Sequence, residues 1–125
     1  MRNINTKNAP QAIGPYSQAI AVDGVVYTSG QIAITPEGVM LQGSVEEQTH
    51  QVLKNLSAVL GEAGSSLQDV IKTTIFLSDM SDFDRVNEVY TIYFKEHKPA
   101  RSTVAVKSLP KNALVEIECI ARCKA

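Results

Sequence analysis

The chain is poor in reactive and metal-binding side chains: among its 125 residues are two cysteines, two histidines and no tryptophan. Cys119 and Cys123 stand four apart in a segment that reads as a strand. Their Cα atoms are then roughly 13 Å apart, too far for a disulfide or a shared metal, so both are expected to be structural. His50 falls on the polar face of a first helix beside Glu46 and Lys54. His97 ends a second helix, where an imidazolium would meet the negative end of the dipole. Neither has a partner at metal-ligand spacing, so no metal is expected. Charge of one sign is also missing. Twelve Lys and Arg against thirteen Asp and Glu leave a net charge of −1, which builds no basic face for nucleic acid. No apolar run is long enough for a membrane span, and "MRNINTKNAP" lacks the apolar core of a signal peptide. The expectation is a cytoplasmic protein without membrane partners.

Repeats, linkers and low-complexity segments are absent as well, so residues 1–125 read as a single domain. With 44% hydrophobic and 20% charged residues it is globular in composition. "SQAIAVDGVVYTSGQIAI" is two apolar runs joined by Asp23-Gly24, a pair suited to a type I′ hairpin turn. "TPEG" is a second turn. "SVEEQTHQVLKNLSAVLGEAGSS" reads as a helix: Ser44 and Glu47 have capping-box spacing. Val45, Thr49, Val52, Leu53, Leu56, Val59 and Leu60 form one stripe, and Gly64 fits the C′ stop. "DVIKTTIFLSD" is a strand. "SDFDRVNEVYTIYFKEHKP" is a second helix, ended before Pro99, with Phe83, Val86, Tyr90, Tyr93 and Phe94 inward. "RSTVAV" and "LVEIECIARC" are the last strands, separated by "KSLPKN".

The order is hairpin, helix, strand, helix, two strands, an α+β arrangement of a mixed sheet and two helices. Two helices cover one sheet face and not both. Phe76, Ile120 and the small residues near Arg101 are expected on the face away from Ile75, Leu77 and Ile117. In water that second face would be a large apolar patch. Packing sheet against sheet between copies of the chain removes it and creates clefts between subunits. The pattern implies oligomerisation without fixing its order.

Arg101 heads a run in which Thr103 and Ala105 point with it and Ser102, Val104 and Val106 point the other way. Its guanidinium fits a carboxylate at two points, and small neighbours leave room for an anion. Solvation at an edge, or an ion pair with Glu116 or Glu118, would explain it equally well. Those two glutamates of "VEIECI" project opposite to Val115, Ile117 and Cys119. There a carboxylate is either solvated or held in a cleft to bind a water and move a proton. An adjacent arginine would lower its pKa and burial would raise it. Ser29 has no histidine near it in sequence, and "DGVVYTSGQ" has too few glycines for a phosphate loop.

The segments "NAPQAIGPYSQAI", "YTSGQI", "VIKTTIFLSDMSDFDRVNEVY", "KPARSTVAV" and "LPKNALVEIECIA" together resemble the RidA (YjgF) family, in order and over nearly the whole chain. The resemblance implies a chorismate-mutase-like α+β fold, a mixed six-stranded sheet with two helices on one face. It also implies a homotrimer with active sites between subunits. The implied activity is that of a cofactor-independent enamine/imine deaminase. It would hydrolyse 2-aminoacrylate and 2-aminocrotonate, as their imines, to 2-oxo acids and ammonia. Those intermediates leak from pyridoxal-phosphate enzymes, which is the implied functional link. On the same basis Arg101 binds the carboxylate and Glu116 is the pocket glutamate. Tyr16, Ser29, Gly30 and Asn87 complete the substrate site with Thr103, which stands where many members have cysteine. A trimer that binds a small carboxylate as a sensor, without turnover, is the alternative. Glu116 separates the two, since a pure carboxylate binder gains nothing from a second anion nearby.

Overall fold

The computed structural model describes residues 1–123. Six strands form one sheet: β1 (Arg2–Ile4), β2 (Ala19–Val22), β3 (Val25–Thr28), β4 (Val70–Leu77), β5 (Ala100–Ala105) and β6 (Val115–Arg122). Their spatial order is β1-β2-β3-β6-β4-β5. All neighbours are antiparallel except β4 and β5. Helices α1 (Val45–Glu62) and α2 (Phe83–Phe94) cover one face. The sequence reading found five of the strands. β1 escaped it because three residues, only one of them buried, carry no readable period.

Local chemistry fixes the boundaries. Asp23 (φ 52°) and Gly24 (φ 77°) are both left-handed, as a type I′ turn requires, and Val22 pairs with Val25 across it. In α1 the Ser44 side chain accepts from the Glu47 N–H, while the Glu47 carboxylate accepts from the Ser44 N–H. The helix ends in a Schellman motif. Gly64 (φ 77°) donates to the Gly61 carbonyl, and Ser65 to that of Leu60. Each residue of the expected stripe is buried.

The helix α2 stops at Phe94, earlier than the proline suggested. Lys95 takes φ 58°, and His97, beyond the helix, has its Nε2 2.6 Å from the Val70 carbonyl. A carbonyl only accepts, so Nε2 carries the proton, and His97 ties the connection to the sheet rather than capping the dipole. His50 also differs from expectation. It is half-buried between the helices, with Nδ1 2.9 Å from the Tyr93 hydroxyl.

The register assigns every strand residue to a face. Thr73, Ile75, Leu77, Val115, Ile117, Cys119, Ala121, Val26, Ala19 and Ala21 point under the helices and are buried. Ile20, Val22, Val25, Tyr27, Phe76, Val104 and Ile120 point to the other face, and none of them is buried. Glu116 and Glu118 stand among these, opposite Phe76 and Thr74. Tyr27 and Val104 are 47% and 42% exposed. The chain therefore has one closed sheet face and one open, largely apolar one.

One expectation needs correcting. The parallel pairing places Arg101 beside Thr73, Thr103 beside Ile75 and Ala105 beside Leu77, so these three belong to the covered face. Of the residues of β5 near Arg101, Ala100, Ser102 and Val104 share the open face with Phe76. Period-two alternation separates two sets of side chains, but only the neighbouring strand tells which set lies inside.

Candidate active site

The expected site residues fall into two groups on opposite sides of the sheet. The first surrounds Glu116 on the open face. A cavity of about 580 Å³ is lined by Tyr16, Ser29, Gly30, Lys111 and Glu116, with apolar walls that include Ile13 and Ile32. Glycine at position 30 leaves room for the Glu116 carboxylate as it stands: a Cβ there would lie 2.1 Å from Glu116 Oε2. The Ser29 hydroxyl donates to the Ser17 carbonyl at 2.6 Å, fastening the loop that carries Tyr16.

Gln18 holds that loop from beneath and was not singled out from the sequence. Its Oε1 accepts from the Thr6 N–H at 2.7 Å, and its Nε2 donates to the Thr6 and Pro10 carbonyls at 3.1 and 2.9 Å. A glutamine in an apolar run gives no sign that three backbone groups lie within its reach. Lys111 adds a cation to the cavity lining, on backbone in the left-handed region (φ 55°).

Glu116 is half-buried, and burial raises its pKa above the ordinary glutamate value, with the negative charge of Glu118 adding to the rise. No arginine offsets this: Arg101, expected beside it, lies on the other side of the sheet. The ion pair with Glu116 or Glu118 that would have made Arg101 merely structural is thereby excluded within one chain.

The second group surrounds Arg101 on the covered side of the edge strand β5. A cavity of about 380 Å³ is lined by Asn87, Tyr90, Lys95, His97, Lys98 and Arg101. Arg101 donates from Nη1 to Asn87 Oδ1 at 2.8 Å. Its Cζ lies 5.5 Å from the Phe83 ring centroid and 5.0 Å from that of Tyr90. Among the described residues no carboxylate pairs with it. Thr103, next along the same face, has a buried hydroxyl without a hydrogen-bond partner among the described residues.

The two cysteines stay outside both groups. Cys119 and Cys123 are unpaired thiols, and burial pushes Cys119 up to about 11, so it is protonated near neutrality. No cluster of three or more His, Cys, Asp or Glu among the described residues could hold a metal ion. No helix among them is long and apolar enough to cross a membrane.

Comparison with known proteins places this geometry in context. The family model described as Endoribonuclease L-PSP matches residues 6–123. A human protein named 2-iminobutanoate/2-iminopropanoate deaminase is 48% identical over 121 residues, covering 96% of this chain and 88% of its own. The structure of RidA from the Antarctic bacterium Psychrobacter superposes with a TM-score of 0.94 at 43% identity, covering 98% of this chain and 99% of that one. Escherichia coli TdcF, solved with bound serine, gives 0.94 at 42% identity over 99% of this chain and 100% of its own. With the family model spanning nearly its full length and relatives near half identity, the chain belongs to the RidA (YjgF) family, whose model carries the L-PSP name.

Proposed function

We propose that the protein is a deaminase that hydrolyses small 2-imino acids to 2-oxo acids and ammonia, in sites built between copies of the chain assembled as a homotrimer. The observation that carries this reading is the placement of Arg101 and Glu116 on opposite faces of one sheet. Neither group alone makes a hydrolytic site. An unpaired guanidinium binds an acid without transforming it, and a glutamate with a raised pKa beside a second carboxylate repels an acid. Because β5 is the sheet edge, Arg101 is reachable from outside, where the open face of a second copy can bring Glu116 to it. The same contact buries Tyr27, Phe76, Val104 and Ile120, which removes the apolar patch.

In such a site Arg101 grips the substrate carboxylate in a two-point pair and thereby fixes C2 of the imine. Asn87 holds the guanidinium through Oδ1. Thr103, Tyr16 and Ser29 shape the walls, and Gly30 leaves room for the Glu116 side chain. Glu116, as carboxylate, takes a proton from a water whose oxygen forms a bond to C2 of the protonated imine. The proton passes to the nitrogen of the tetrahedral adduct. The C–N bond then breaks with the electron pair leaving on ammonia, while Glu116 takes the hydroxyl proton as the carbonyl forms. Glu116 passes that proton to the departing ammonia, which returns the proton the imine brought and restores the carboxylate. The sum is imine plus water giving 2-oxo acid plus ammonia, with no covalent enzyme intermediate and no cofactor. The deaminase name of the human relative and the serine bound in TdcF, a small amino acid with a carboxylate, support the substrate class. A net charge of −1 gives little electrostatic support to RNA as a partner.

Subunit mixing tests the reading. Arg101→Ala and Glu116→Gln chains are each expected to be nearly inactive on 2-aminoacrylate generated in situ. When the two are unfolded, mixed equally and reassembled, random association should restore about a quarter of the wild-type specific activity, the share of interfaces that pair two intact groups. Activity of the mixture no higher than that of its components would exclude a shared site. Full activity of Arg101→Ala alone would exclude the deaminase mechanism.

A further inference from the structure

Phe83, Asn87 and Tyr90 are spaced i, i+4 and i+7, so they stand on one face of α2, and all three meet the same guanidinium. The Cζ of Arg101 lies over both rings, and Asn87 Oδ1 accepts from its Nη1. Tyr90 is itself firmly held. Its hydroxyl is 2.8 Å from Thr73 Oγ1, and Thr73 is the cross-strand neighbour of Arg101. Its ring stacks on Phe94 with centroids 4.3 Å apart. Thr73 is fully buried and Tyr90 is 8% exposed. A ring fixed at both its hydroxyl and its π-face is a rigid surface, and a guanidinium over aromatic rings is attracted by their quadrupoles.

We infer that Tyr90, assisted by Phe83, is a positioning residue that holds the Arg101 guanidinium in the orientation needed to receive the substrate carboxylate. The aromatic faces favour the cation without supplying an anion. Asn87 consumes one donor, and the remaining N–H groups stay available in the guanidinium plane. An aspartate in the place of either ring would pair with Arg101 and close the site to substrate. The rings therefore order the arginine while leaving its charge uncompensated. Free arginine side chains lose substantial rotamer entropy on binding. Here much of that ordering precedes the substrate.

This inference rests on the carboxylate-binding role proposed for Arg101, and the test separates the two. Tyr90→Phe keeps the ring and removes only the bond to Thr73, whereas Tyr90→Leu removes the ring. Tyr90→Leu should raise KM about tenfold and leave kcat within about threefold, because the carboxylate is gripped equally in the ground and transition states. Tyr90→Phe should restore KM to within about threefold of wild type. The Kd for 2-oxobutanoate, an unreactive carboxylate, should follow KM. Phe83→Leu, at a half-buried position, should raise KM by a smaller factor, and it carries the test if Tyr90→Leu does not assemble. Unchanged KM in Tyr90→Leu and Phe83→Leu, while Arg101→Ala loses binding, would overturn the positioning role alone. A decrease confined to kcat would overturn it too. Unchanged binding in Arg101→Ala would instead overturn the role of Arg101.

Discussion

The two faces of the sheet were built to different standards. On the covered face, Val26, Leu77, Val115 and Ile117 are inaccessible and Ile75 nearly so, and two helices, α1 with a full capping box, hold them there. On the open face no strand residue is buried, and Phe76, Tyr27 and Val104 surround two adjacent glutamates. The closed face accounts for a folded chain, and on the proposed assembly the open one is covered by more of the same molecule. The chemistry follows this division. Arg101 is attached to the finished side through α2, and Glu116 stands on the unfinished one. On the proposed mechanism each cavity by itself holds half of the reaction.

Substitutions that act on one face only should sharpen this contrast. The largest effect is expected from Val104→Asp, which puts a charge into the open face without touching the covered core. Assembly should be lost, and activity should fall roughly 100-fold or more, since burying an unpaired carboxylate costs several kcal/mol. Analytical ultracentrifugation should show a folded monomer, and an active assembled variant would contradict the role given to this face.

Next is Glu116→Gln, expected to lower kcat about 100-fold with a much smaller change in KM. In the single chain the Glu116 carboxyl has a pKa raised by burial and by Glu118. On the proposed assembly the Arg101 of a second copy lowers it, so the acid limb of activity should lie below the Glu116 pKa of the separated chain. Glu118→Gln should move that limb to lower pH. Stability has the complementary sign. The folded state binds the Glu116 proton more tightly than the unfolded one, and that contribution is lost as pH rises through the raised pKa. In the Val104→Asp background, expected to be monomeric, thermal melts should therefore show that adding Glu116→Gln raises stability at neutral pH and leaves it unchanged in acid.

A smaller loss, about tenfold in kcat/KM, is expected for Gly30→Ala. Its Cβ would meet Glu116 Oε2, and the carboxylate must swing aside while the fold persists. The smallest effect belongs to the covered side. Ser44→Ala removes the α1 cap and should cost about 1 kcal/mol in denaturant titration with no change in activity.

Much of this division could be read from the residues. The Asp23-Gly24 turn, the Ser44–Glu47 cap, the Gly64 stop and the stripe of α1 are local features, each decided within a few positions. The two glutamates of β6 were assigned to the right face because they alternate with Val115, Ile117 and Cys119. The orientation of Arg101 was not legible. It depends on β5 pairing parallel with β4, a contact between segments more than twenty positions apart. The Gln18 bonds and the aromatic rings over Arg101 were hidden because they too join different segments that only the fold brings together. Phe83 and Tyr90 read as core residues, and Phe83 and Tyr90 do pack inward, with nothing in their spacing to announce a guanidinium.

The placement of Arg101 and Glu116 on opposite sides of one sheet has a consequence for dilution. A solitary chain cannot bring its own arginine to its own glutamate by any small motion, because the sheet lies between them. On the proposed assembly, catalytic output would fall faster than protein concentration once subunits begin to separate. Newly made or dissociated chains would then be catalytically silent until they met their copies.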